Sequence, residues 1–182
     1  TQPTVTYPLL YLVPLYLQLP LMVRVVVTMS VFATQQPMNP LYFLCCVYIV
    51  GLGIGAGATV PAHELIHHTR NRYSREIGRW LLALSLNHAF YLEHLYGHHK
   101  NVALMEDPVS SKKNQPFYRY CLPSIIKQVK EAWYIDSMLC KRHGIPWWRR
   151  QLLWSTVRAL VVIGMVFIVG GMAATGLYLS CV

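Results

Sequence analysis

Charge is what this sequence has least of. Only 13% of its 182 residues are Asp, Glu, Lys or Arg, about half the share of an ordinary soluble domain. Before His63 the sole charged residue is Arg24, and after Arg158 there is none. Cysteine is equally uninformative as a framework. Cys45, Cys46, Cys121, Cys140 and Cys181 are odd in number and contain no CxxC pair, which excludes a zinc ribbon and a disulfide scaffold. Hydrophobic residues make up 54% of the chain, and that excludes disorder.

The charge that is present sits in the middle. All seven acids and fifteen of the sixteen bases fall between Glu64 and Arg158, so this segment holds +8 of the net +9. No stacking platform or recognition fold accompanies the surplus, so nucleic acid is excluded as its partner. The pattern predicts an all-α integral membrane protein with about three transmembrane helices and short interfacial helices, built as one domain over residues 1–182. The spans are expected near residues 5–34, 41–60 and 159–182, around a polar basic segment at 63–158, since a spanning helix takes about 20 apolar residues.

The first span contains Pro8, Pro14, Pro20 and Arg24 and is expected to be kinked or partly interfacial. Residues 34–40, with Pro37 and Pro40, read as a turn that makes spans one and two a hairpin. The positive-inside rule then puts the basic segment on the cytoplasmic or matrix side of a plasma, endoplasmic reticulum or mitochondrial inner membrane. The third span crosses back and ends on the opposite face.

Span two is rich in glycine. Gly51, Gly53, Gly55 and Gly57 hint at a dinucleotide loop, but no strand pattern surrounds them. Their overlapping GxxxG spacings predict close helix packing in lipid. Further along, residues 124–142 place Ile125, Val129, Ala132, Trp133 and Leu139 on one side and Lys127, Lys130, Glu131 and Lys141 elsewhere. Gly144 and Pro146 would end this amphipathic interfacial helix. Its lysines, with Arg149 and Arg150, are expected to meet anionic lipid or to dock an acidic electron carrier.

Chemistry begins at the end of span two. His63-Glu64-Leu65-Ile66-His67-His68 puts His63 and His67 one helical turn apart, so both imidazoles can address one metal ion. The alternative for HExxH is an intramembrane zinc protease with Glu64 as general base. A second box, Glu93-His94-Leu95-Tyr96-Gly97-His98-His99, repeats the pattern with His94 and His98 at i and i+4. Six of the eight histidines fall in these boxes, more imidazoles than one zinc requires, and an all-nitrogen set favours iron for oxygen activation. His88 reads as a packed side chain or a partner of a ligand, and His143 as a solvated residue at a helix end.

At these residues the chain resembles the membrane alkane monooxygenases, a branch of the fatty acid desaturase and hydroxylase superfamily. The specific part lies beyond the histidines, where the second box runs on through Val102-Ala103 to Glu106-Asp107-Pro108. The resemblance covers roughly residues 41–182. It implies a di-iron centre, O2, and two electrons from a rubredoxin, ferredoxin or cytochrome type of donor, spent on an alkyl or fatty acyl chain. It also implies that His63, His67, His94, His98 and His99 ligate metal, with His68, His88, Glu64 and Glu93 as further ligands or their hydrogen-bond partners. The family pattern continues into a third HxxHH box. None follows His99 here, so the resemblance leaves two readings: an oxygenase whose third box is supplied from elsewhere, or an accessory subunit of a larger, for instance respiratory, membrane complex.

Overall fold

The computed structural model describes residues 8–35, 39–104 and 106–182. Among these there are helices and turns but no strand, as the composition predicts. The start of the first expected span (residues 5–7), the turn residues Gln36, Pro37 and Met38, and Met105 of the second-box motif lie outside the described residues.

Three helices are long and apolar enough to cross a membrane: Leu10–Gln35, Pro40–His67 and Gln151–Cys181, with mean hydropathy of 1.8, 2.1 and 2.3. Helix α1 (Pro8–Gln35) runs unbroken through Pro14 and Pro20. Helix α2 (Pro40–Ile54) starts on a cap, because the Asn39 carboxamide accepts from the Tyr42 N–H at 2.9 Å and Pro40 needs no acceptor. It does not stop near residue 60. A π-helical turn at Gly55–Thr59 leads directly into α3 (Val60–His67). Pro61 explains that turn: without an N–H it cannot serve the carbonyl four residues back, and a widened turn is one way of rehousing the freed group.

The chain forms two compact units, Thr1–Leu86 with Ala159–Val182, and Asn87–Arg158. In the first, α3 packs against α4 (Arg72–Leu84), with Ala58, Ala62, Leu65, Ile66 and Leu81 fully buried. Asn71 caps α4 through the N–H groups of Tyr73 and Ser74, and its amide also donates to Tyr16 of α1 at 3.1 Å. The far end of α4 is closed by Tyr178, whose buried hydroxyl donates to the Leu84 carbonyl at 2.6 Å, supplying a helix-end acceptor with its missing donor. Ser30, Thr156, Thr175 and Ser180 return their hydroxyls to carbonyls of their own helices, the cheapest partner available in hydrocarbon.

Of the span-two glycines, Gly51 and Gly57 sit at close approaches. A Cβ on Gly51 would lie 2.9 Å from the Cys181 carbonyl oxygen, and one on Gly57 would lie 2.7 Å from the Met22 thioether. Gly53 and Gly55 face open space. The tightest crossing is elsewhere. In α8 (Gln151–Cys181) a Cβ at Gly170 would lie 2.6 Å from the Ser30 carbonyl oxygen, and the helix breaks at Gly171, with φ 63° and ψ −157°.

In the second unit, α5 (Phe90–Leu92), a π-helical turn at Glu93–His98 and α6 (His99–Asn101) lie against α7 (Phe117–His143). Helix α7 begins seven residues earlier than the expected residue 124 and continues through Pro123. Within it, the Ser124 hydroxyl donates to the Pro108 carbonyl at 2.6 Å. Gly144 ends α7 in the left-handed region at φ 61°, as the sequence predicts. A 3₁₀ turn at Trp147–Arg149 then leads to α8.

Candidate metal centre

The first box occupies the last turn of α3. His63 and His67 are half-buried, their rings meet edge to face, and their Nε2 atoms lie 3.3 Å apart. Glu64 and His68 face each other instead, at 3.7 Å. His88 lies half-buried in the turn between α4 and α5, and His143 is exposed at the end of α7.

The second box differs from a plain α-helix reading. Its π-helical turn sets residues i and i+5 side by side, while the His94 and His98 rings stay stacked with centroids 5.4 Å apart. His94 therefore meets His99, Nε2 to Nε2 at 3.0 Å. His94 is buried and stacked on Phe90 with centroids 4.5 Å apart, while His99 is exposed. His98 turns its Nδ1 to the buried Asp107 carboxylate at 3.0 Å.

Asp107 explains the acidic-Asp-Pro sequence after the box. Its carboxylate accepts from the Ser110 hydroxyl at 2.6 Å and the Val109 N–H at 3.1 Å. Burial pushes its carboxyl up, but these two bonds and His98 outweigh that and hold it below the ordinary carboxylate range. A histidine whose Nδ1 is held by a carboxylate presents Nε2 in a fixed tautomer, the usual support for a metal ligand. In the sequence, the one signal for this role of Asp107 is an acid nine residues past a box histidine. Asp107→Asn should weaken metal binding about 10- to 100-fold while leaving the helix content intact, checked by metal titration beside circular dichroism.

Glu93 is fully buried and neither carboxylate oxygen has a hydrogen-bond partner among the described residues. Burial, aided by the charges of Glu131 and Asp107, pushes it up to about 7. Glu131, from α7, reaches the same place: a Cβ on Gly97 would lie 2.9 Å from its Oε1, and the Asn101 amide donates to it at 3.5 Å. Burial also raises the Glu131 carboxyl. Gly97 thus keeps the box open to α7.

These donors suit a metal ion. Two nitrogens each about 2.1 Å from a common ion stand roughly 3.0 to 3.4 Å apart at ordinary coordination angles. The separations of 3.3 Å in the first pair and 3.0 Å in the second fall in that interval. A buried carboxylate without a donor is a further site for positive charge.

Comparison with known proteins agrees. The fatty acid desaturase family model matches residues 38–182. Alkane 1-monooxygenase 2 of Pseudomonas aeruginosa is 32% identical over 128 residues, covering 69% of this chain and 34% of that protein. Alkane 1-monooxygenase 1 of the same organism is 30% identical over 154 residues, covering 78% and 40%. The alkane 1-monooxygenase of Acinetobacter baylyi is 33% identical over 106 residues, covering 57% and 26%. The chain spans about a third to two fifths of the length of the two Pseudomonas relatives. A family match over most of the chain, joined to three membrane-length helices, makes this an integral membrane protein of the fatty acid desaturase family, related to the alkane monooxygenases.

Proposed function

We propose that this chain carries the first two histidine boxes of a membrane non-haem di-iron oxygenase acting on an alkyl or fatty acyl chain. The observation that carries the reading is the paired imidazoles, His63 with His67 and His94 with His99, each pair at single-ion spacing. His63, His67, His94, His98 and His99 would hold iron, and the whole protein would supply the rest of the ligand set. When bound, iron supplies the activation of O2 needed to attack an unactivated carbon-hydrogen bond.

The protein residues do the remaining work. Asp107 fixes the His98 tautomer through Nδ1, and Phe90 holds the His94 ring by stacking. Glu93 keeps a buried carboxyl next in sequence to His94, and Gly97 admits Glu131 from α7. The apolar spans bring the substrate, which dissolves in the bilayer and reaches the boxes at its edge. Hydroxylation of R–H to R–OH consumes O2, two protons and two electrons and yields one water, so an electron donor of rubredoxin, ferredoxin or cytochrome type is required. The basic segment would place the boxes on the cytoplasmic or matrix side.

A zinc-protease reading needs Glu64 as a general base beside the first pair, and Glu64 is engaged by His68. The test is iron content together with O2-dependent conversion of an n-alkane to its alcohol, in membranes supplied with the electron donor. Iron with turnover supports the oxygenase. Absence of both from a stable, co-purifying membrane complex would assign the accessory role, and a single zinc with peptide cleavage would assign the protease.

A further inference from the structure

The corner where α7 gives way to α8 carries chemistry that the metal centre does not use. Residues 136–150 there hold Lys141, Arg142, Arg149 and Arg150 and a single acid, Asp136. Asp136 is buried and already committed, because it accepts from the Gln151 N–H at 3.2 Å and pairs with the Arg150 guanidinium at 3.3 Å. Arg150 is held further by the Ser137 hydroxyl and by the face of Trp133, 5.1 Å from its ring centroid. Lys141, Arg142 and Arg149 make no ion pair among the described residues.

Between Lys141 and Arg150 opens a pocket of about 370 Å³, also lined by Ser137, Cys140, Gly144, Ile145 and Trp147. The left-handed Gly144 lets the chain turn back, so the Ile145 N–H closes on the Cys140 carbonyl at 2.9 Å. The rim is aromatic. Trp133, Trp147, Trp148 and Trp154 are each half exposed or more, and the Trp154 indole N–H is anchored to the Trp148 carbonyl at 2.8 Å.

We infer that this pocket binds the headgroup of one anionic glycerophospholipid, its phosphate between Lys141 and Arg150. Its acyl chains would lie along the exposed Leu153 and Val157 of α8. Charge complementarity calls for an anion. Chain continuity fixes the depth, because the membrane-length helix begins at Gln151, one residue after Arg150. Indoles and basic side chains at that level belong to the lipid headgroup layer. A soluble acidic protein would meet the charges but leave the indole rim and the α8 face uncovered. The pre-set Arg150 reduces the ordering cost of binding.

The test uses the whole protein in nanodiscs of phosphatidylcholine containing a minor fraction of brominated phosphatidylglycerol or, in parallel, brominated phosphatidylcholine. Tryptophan quenching is read out, since four of the five indoles lie in this patch. The anionic probe should quench preferentially. Lys141→Gln should lower its apparent affinity about fivefold, and Lys112→Gln, in the loop after the second box, should not. Equal quenching by both lipids, an equal loss in both variants, or displacement of the brominated lipid by inorganic phosphate would each overturn the proposal. Displacement by an acidic ferredoxin would do so too, and would reassign the patch to a protein partner.

Discussion

If the chain acts as the oxygenase proposed above, His94→Ala protein is expected to bind less iron than the unmodified protein and to lose O2-dependent turnover by more than about 100-fold, the upper end of what a merely supporting residue costs. His94 combines features found at no other box histidine among the described residues. It is buried, stacked on Phe90, and its Nε2 lies 3.0 Å from that of His99. Removing the ring takes one of the two nitrogens from the His94–His99 pair and leaves a void against Phe90. Metal analysis by mass spectrometry, with circular dichroism to verify the helices, decides the matter. His143→Ala, on an exposed residue at the end of α7, serves as the contrast and should change neither readout. Unchanged iron in the His94 variant would remove this residue from the ligand set.

The largest stability effect should come from span three. Gly170→Ala puts a methyl group 2.6 Å from the Ser30 carbonyl oxygen and 2.3 Å from the Ala174 Cβ. Backbone oxygen cannot swing aside, so α1 and α8 must separate, at a cost of about 1–3 kcal/mol. Gly171→Ala meets no atom within 4 Å yet is strained for a different reason. Its φ of 63° with ψ of −157° lies in a region essentially confined to glycine, worth about 1–3 kcal/mol. Gly164→Ala and Gly176→Ala enter open space at helical positions and should be neutral or stabilising by up to about 1 kcal/mol. Thermal unfolding in detergent should rank the four, with the Gly170 and Gly171 variants melting lowest. A Gly170 variant that melts with the wild type would show that the helices can move apart without loss.

Hydropathy and charge made the three membrane-length helices legible, because a run of apolar residues without charge has few other uses. The lengths were less legible. The second span reaches His67 and the third starts at Gln151, since polar residues at a helix end do not interrupt its hydrogen bonding. Histidine spacing exposed both boxes, but an α-helical ruler paired His94 with His98. The π-helical turn pairs His94 with His99 and sends His98 to Asp107, and nothing in residue spacing reports a widened turn. The amphipathic helix expected from residue 124 starts at Phe117 and passes through Pro123. Glycine was legible as a packing residue in kind, not in place. The close approaches fall at Gly51, Gly57 and Gly170, and which glycines face a neighbour depends on crossings that only tertiary structure defines.

The widened turn at Gly55–Thr59 also acts as a phase adjuster between two halves of one rod. It inserts one residue beyond the α-helical pitch, and one residue is worth about 100° of rotation. A widened turn absorbs that extra residue in nearly the rotation of four α-helical ones, so deleting one residue there would restore regular pitch and keep His63 and His67 close to their present phase, whereas regularising all five would swing them about 100° around the axis. The orientation of the first histidine pair is therefore set by the pitch of five positions that contain no metal ligand, and a change of pitch without a change of residue count would alter it.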